Sequence, residues 1–147
     1  MDETAYRQAR QAAVQHPCAF EKALLAGCCA CSLAQRRHIA EREAVACLDA
    51  VARASCVLLL QLLRRNAAFT LHLSRADEQL THAQEMKVQC GGLAGLQRVL
   101  SGSGEVEDVS RLVQSARQAQ GGLEDLPYSE IVQSVAAYRT RRRAGQP

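Results

Sequence analysis

Apolar residues recur at helical spacing along most of this chain. The pattern predicts a first, peripheral helix over residues 2–15, a second from Pro17 to about residue 34, and a central helix over residues 50–69 that is apolar almost all round. Further helices are expected over residues 78–100, in the segment VSRLVQSARQAQ and from Pro127 onward. No segment alternates as a half-buried strand does, so the predicted fold is all-α, a single-domain bundle of five to six helices over residues 1–147.

Capping residues and glycines divide these helices. Asp49 is a predicted N-cap, because its carboxylate can accept hydrogen bonds from the amides of a following first turn. Gly27 weakens the second helix, and the pair Gly91 and Gly92 predicts either a kink or the close approach of another backbone. The segment QRRHIAEREAVAC, residues 35–47, has an amphipathic pattern, and residues 73–78 are polar and predict a loop.

Composition narrows the class of protein. Aromatic residues make up only 3% of the chain, so leucine, alanine, valine and cysteine must form the core. The net charge is +3, and its excess lies mostly in a C-terminal run of Arg139, Arg141, Arg142 and Arg143. This positive charge is confined to one short segment, and the chain has few aromatic residues that could stack on bases. Both features argue against nucleic-acid binding and favour a solvated helix end.

Neither the N-terminus nor the central helix is predicted to enter a membrane. The first 17 residues carry acidic side chains and lack the apolar core of a secretion signal. The most apolar stretch, residues 57–63, falls short of the roughly 20 apolar residues that a bilayer span needs. We therefore expect a cytoplasmic protein, in which disulfides are unfavourable.

Seven cysteines are the chemically informative feature. Six of them lie between Cys18 and Cys56, in a cysteine-rich part (residues 18–56) that precedes a C-terminal helical part (residues 78–143). Their odd number and the expected reducing compartment disfavour a disulfide framework. The thiols are therefore interpreted as packed in the core, bound to metal, or redox-active, although no strand precedes Cys28 and Cys31 as in thioredoxin-like motifs.

Helical spacing selects which thiols could share a site. Cys28 and Cys31 are three residues apart and would lie on one helix face. Cys47 and Cys56 would lie roughly 13 Å apart on opposite faces of a continuous helix, and can meet only if the chain breaks near Asp49. The predicted metal ligands are Cys28, Cys31, Cys47 and Cys56, with Cys18, Cys29 and Cys90 in reserve.

Four thiolates suit an iron–sulfur cluster or tetrahedral zinc. A cluster is favoured over zinc because the chain has one tight cysteine pair rather than two. Arg36, Arg37 and Arg42 are expected to offset the thiolate charge. The alternative is a non-enzymatic helical protein-interaction module whose cysteines merely fill the core. A protein partner of unknown identity is expected in either case, and no hydrolase or nucleotide-binding motif is present, which argues against an enzyme.

Overall fold

The structure, a computed structural model, describes residues 2–75, 78–119 and 121–139. Their helices are α1 (Glu3–Ala13), α2 (Glu21–Ala26), α3 (Ala50–Ala67), α4 (His82–Met86), α5 (Gly92–Ser101), α6 (Val109–Ala119) and α7 (Tyr128–Ala137). A π-helical turn, Lys87–Gly91, joins α4 to α5 without a break, so the described residues contain six separate α-helical rods and a short 3-10 turn at Leu123–Asp125. Of the basic run, Arg141, Arg142 and Arg143 lie outside the described residues.

The all-α prediction is wrong, because the segment read as amphipathic forms a β-hairpin. Strands β1 (Ala34–Ile39) and β2 (Arg42–Cys47) pair in antiparallel register, with Ala34 opposite Cys47 and Ile39 opposite Arg42. The turn between them is tight, and Ala40 adopts a left-handed conformation with φ 57°. The fold is therefore mixed, a helical domain with a two-stranded antiparallel sheet near its N-terminus.

The hairpin lacks alternation because its two strands have different surroundings. Three successive residues of β2, Ala44, Val45 and Ala46, are buried, since both faces of this strand are covered. Ala44 and Ala46 pack in a small core with Tyr6 of α1. The side chain of Val45 points to the opposite face and is fully buried, and its amide donates to the carboxylate of Glu21 on α2 (2.8 Å) at the free edge of the strand. Because β1 is exposed along most of its length, neither strand shows the period of two by which a half-buried strand is recognised.

The second helix is much shorter than its sequence predicts. It ends at Ala26, because Gly27 takes a left-handed conformation (φ 80°) that closes a helix. Residues 27–33 then form a loop rather than about two more turns of helix. Hydrogen bonds fix this loop on α6, where the amide of Val109 donates to the carbonyl of Ala30 (2.9 Å).

Most of the remaining helix predictions are confirmed. Asp49 caps α3 by accepting from the amides of Val51 and Ala52 (2.9 and 3.1 Å). The C-terminal half of α3 lies in the centre of the main core, where Leu59 and Leu63 are fully buried. None of the helices in the described residues is long and apolar enough to cross a bilayer.

Glycines on the rod formed by α4, the π turn and α5 allow α7 to pack closely. A Cβ atom on Gly91 would lie 2.8 Å from the backbone of Val135, and one on Gly95 would lie 2.6 Å from the carbonyl oxygen of Ile131. The close backbone approach expected from the glycine pair is thus confirmed at Gly91 and extends to Gly95, whereas Gly92 faces the side chain of Leu63. The cost of glycine in a helix is offset by this contact, which brings the two backbones together.

Candidate functional site

Four half-buried cysteines line one small cavity at the open end of the hairpin, where Ala34 pairs with Cys47. They are Cys18, Cys31, Cys47 and Cys56, and the cavity they enclose measures about 20 Å³. The other lining residues are mostly apolar: Ala19, Leu33, Ala34, Ala52 and Val109, together with Arg53 and Ser110. Each of the four thiols comes from a different segment, so the tertiary fold is what brings them together.

Strand pairing places Cys18 beside Cys47. The chain around Pro17 runs antiparallel to the edge of β2 that β1 leaves free, and Pro17 forms a bridge with Ala46. The amide of Cys47 donates to the carbonyl of His16 (2.7 Å), and the amide of Cys18 donates to the carbonyl of Val45 (2.9 Å). The two cysteines are therefore fixed on neighbouring strands by backbone hydrogen bonds, independently of any interaction between their side chains.

Cys31 reaches the cavity through the loop that precedes β1. Ala34 lies opposite Cys47 in the hairpin register, and its amide donates to the carbonyl of Cys31 (3.2 Å), which folds the loop back on the strand. The carboxylate of Asp108 accepts from the amide of Ser32 (3.1 Å), so the loop is also attached to the start of α6. These hydrogen bonds hold Cys31 close to the end of β2.

Cys56 lies on α3, which begins directly after β2. The helix begins after the Asp49 cap, two residues beyond Cys47, and Cys56 lies in its second turn. The thiol of Cys47 donates to the carbonyl of Asp49 (3.2 Å), so the strand end and the helix start are in contact. The chain break near Asp49, which the sequence argument required for Cys47 and Cys56 to meet, is thus present.

Three thiols of this cavity, those of Cys18, Cys31 and Cys56, resist ionisation because burial raises their pKa values. Burial raises the pKa of Cys18 from 9.0 to about 11 and that of Cys56 to about 12. The negative charges that Cys31 and Cys47 would carry raise both pKa values further, which places the four sulfurs within electrostatic range of one another. At neutral pH Cys18 and Cys56 are therefore protonated, and forming their thiolates requires a compensating positive charge.

The arginines expected to supply that charge are used elsewhere. Arg36 donates to the carboxylate of Glu43 (2.8 Å), and Arg42 donates to that of Glu3 (2.9 Å). Arg37 donates to the side-chain oxygen of its neighbour Gln35, and none of these three arginines lines the cavity. Nearness in sequence does not bring these side chains to the thiols, because the fold directs Arg36 to Glu43 and α2 and directs Arg42 to α1.

The remaining cysteines are placed differently. Cys28 forms a disulfide with Cys90, 62 residues away, with their Cα atoms 6.1 Å apart. The expectation that the chain has no disulfide is therefore corrected. Cys29 is a free thiol that does not line the cavity and lies at a β-bridge with Val106. Burial raises its pKa to about 12, and the negative charges that Cys18 and Cys31 would carry also raise it. Of the predicted ligands, the cavity thus brings together Cys31, Cys47 and Cys56 with the reserve residue Cys18.

A larger cleft elsewhere has no cysteine among the described residues that line it. It measures about 600 Å³ and includes the buried carboxylate of Glu85. Glu85 accepts from Arg64 (2.6 Å) and from the side chain of Gln89 (3.0 Å), whose own oxygen accepts from the amide of Ala23 (3.0 Å). These hydrogen bonds connect α2, α3 and the π turn. Because the polar groups are paired with one another, stabilisation of the fold is sufficient to explain their presence.

Within the residues that the structure describes, no group of three or more His, Cys, Asp or Glu side chains is arranged to hold a metal ion. Coordination of a single ion, at about 2.3 Å from each sulfur, requires the four thiols of the cavity to rearrange around it. Comparison of the chain with protein-family models, with curated proteins and with solved structures found no match.

Proposed function

We propose that Cys18, Cys31, Cys47 and Cys56 bind a soft metal centre through four thiolates, as zinc or an iron–sulfur cluster. One observation carries the proposal: thiols from four separate segments line the same cavity. Cysteines that serve only as small hydrophobes need apolar neighbours, but they do not need one another. A shared cavity of sulfurs is what a thiolate centre requires.

Soft thiolate ligands define the class of metal. They exclude magnesium and calcium, which prefer oxygen ligands, and favour zinc or iron–sulfur clusters. Binding must displace thiol protons, because the pKa values of Cys18 and Cys56 lie well above neutral pH. The positive charge of the metal or cluster offsets the cost of placing thiolates in an apolar cavity.

Size and spacing discriminate between zinc and a cluster. The cavity, about 20 Å³, has roughly the volume that admits one water molecule, which suits a single ion. A multi-iron cluster would require the four side chains to move outward. Spacing, in contrast, disfavours zinc. Zinc sites commonly have two pairs of closely spaced cysteines, and these four residues contain no such pair. Both centres would stabilise the junction of hairpin, loop and α3, and a cluster would add electron transfer or sensing.

Elemental analysis of protein purified without oxygen tests the proposal. A zinc site predicts about one zinc ion per chain. A cluster predicts about two or four iron atoms with matching sulfide, and a brown protein that absorbs near ~400 nm. The variants Cys18→Ser and Cys56→Ser are expected to lose the metal. Cys29→Ser, which alters a half-buried thiol outside the cavity, is the matched control and is expected to retain it.

The same experiment tests the alternative, a helical interaction module with packed thiols. Cys18, Cys31 and Cys56 also pack against the main core, which that alternative requires. It predicts that the purified chain contains no stoichiometric metal, and that Cys18→Ala and Cys56→Ala alter only the melting temperature. That result would refute the metal centre. Loss of metal in Cys29→Ser to the same extent as in Cys18→Ser would refute the assignment of these four ligands.

A further inference from the structure

We infer that Arg53 is the charge-compensating residue of the thiol site, held beside the cavity to offset the negative charge of a four-thiolate centre. The inference rests on the proposed function and adds to it a residue that is not a ligand. A cation at this position favours a metal centre that keeps a net negative charge when four thiolates are bound to it.

The position of Arg53 is fixed from two sides. It lies in the first turn of α3, three residues before Cys56, and its half-buried side chain lines the cavity. Its Nε donates to the carbonyl oxygen of Pro17 (2.6 Å), and Pro17 directly precedes Cys18. The guanidinium thus connects the helix that carries Cys56 to the strand-like segment that carries Cys18.

Arg53 is the one charged residue among those that line the cavity in the described part of the chain. Arg36 and Arg42 are paired with carboxylates, whereas Arg53 makes no ion pair with any carboxylate of the described residues. A guanidinium keeps its proton at every physiological pH, so this positive charge is permanent. Its single hydrogen bond to a neutral carbonyl orients the group without neutralising it.

The charge balance of a thiolate centre gives this cation a role. Four thiolates around a divalent ion leave a net charge of about −2, and a half-buried site screens that charge less than water does. A fixed cation at the edge of the cavity stabilises the bound centre relative to the protonated thiols. Groups adjacent to metal ligands typically change metal affinity by about 10- to 100-fold when they are removed.

The test compares zinc affinity, by chelator competition at fixed pH and salt, in the full chain and in Arg53 variants. Arg53→Gln removes the charge and keeps a hydrogen-bond donor, and is expected to bind zinc about 10- to 100-fold more weakly. Arg53→Lys keeps the charge and is expected to bind more tightly than Arg53→Gln. Arg53→Met is a second neutral variant if Arg53→Gln fails to fold. The matched control is Arg117→Gln, which alters an exposed arginine on α6 beside the neighbouring groove.

For an iron–sulfur cluster the corresponding measurement is the reduction potential, since reduction adds negative charge. Arg53→Gln is expected to lower the potential and Arg53→Lys to restore most of it. If Arg53→Gln matches the wild-type protein, or if Arg53→Lys is no better than the neutral variants, the inference is overturned while the metal site stands. A wild-type chain that binds neither zinc nor a cluster overturns the proposed function and this inference together.

Discussion

The disulfide between Cys28 and Cys90 provides a quantitative test of the structure. It closes a loop with a sequence separation of 62 residues, which contains Cys31, Cys47 and Cys56. The double variant Cys28→Ala, Cys90→Ala removes the cross-link. Without the cross-link, the unfolded chain regains conformations that the closed loop excludes. Its conformational entropy increases, and the free energy of unfolding therefore decreases.

The length of the loop sets the expected magnitude. The chain-entropy relation gives about 4 kcal/mol at 25 °C for a loop of this length. A chain of 147 residues has an unfolding entropy of roughly 0.3 kcal/mol/K near its melting temperature. The double variant is therefore expected to melt about 10–15 °C below the oxidised wild-type protein.

Thermal unfolding followed by circular dichroism measures this difference. Wild-type protein treated with a reductant should melt at the temperature of the double variant, and Cys29→Ala is the control that removes a nearby free thiol. The double variant should also keep its metal, because neither Cys28 nor Cys90 lines the thiol cavity. Equal melting temperatures for the double variant and the oxidised wild-type protein would refute the cross-link, and loss of metal would mean that Cys28 or Cys90 is a ligand.

Three further outcomes are expected. Gly95→Ala should lower the free energy of unfolding by about 2–3 kcal/mol in urea titration, since the added Cβ would lie 2.6 Å from the carbonyl of Ile131; an unchanged midpoint would contradict the close packing of α5 on α7. Arg64→Met should cost about 1–2 kcal/mol because it leaves the carboxylate of Glu85 without its cation while Arg64 itself is 42% exposed, and the double variant with Glu85→Gln should recover part of that loss, which a double-mutant cycle measures. In protein stripped of metal, the raised pKa of Cys56 means that the folded state holds its proton more tightly than the unfolded state. The contribution of Cys56 to stability should therefore be constant below about pH 9 and be lost as the pH rises from 9.0 towards about 12; a Cys56→Ala variant with an equally steep fall in urea titrations at pH 8 and 10 would contradict this.

The sequence predicted the helices for which it contains local signals. Asp49 marks the start of α3 because an N-cap acts through hydrogen bonds within one turn, and the apolar run behind it has few ways to fold other than as a buried helix. The glycine pair at Gly91 and Gly92 marked a close approach because glycine inside a helix is otherwise unfavourable. The cap acts within a few residues, whereas the helix that approaches Gly91 is α7, more than 40 residues away, which the glycines themselves do not identify.

Which thiols line the cavity follows only in part from helical spacing, because residues 27–47 form a loop and a hairpin. Helical spacing placed Cys28 with Cys31, but Gly27 ends α2, and the following loop turns Cys28 towards Cys90. On a straight helix Cys18 would lie about 15 Å from Cys28, which makes it only a reserve ligand by helical spacing. Its place in the cavity depends on the pairing of Pro17 with Ala46, an interaction between segments that no periodicity reveals.

By itself, then, the sequence determined the helical segments with strong caps or long apolar runs, and the concentration of thiols in the first half of the chain. The tertiary structure decided that residues 34–47 form a hairpin, because burial on both faces of β2 and exposure of β1 erase the alternation by which strands are recognised. It also decided which sulfurs face one another. The arrangement of the sulfurs depends on hydrogen bonds between residues far apart in the chain. Forming these bonds costs loop-closure entropy, which is offset only when the whole domain folds.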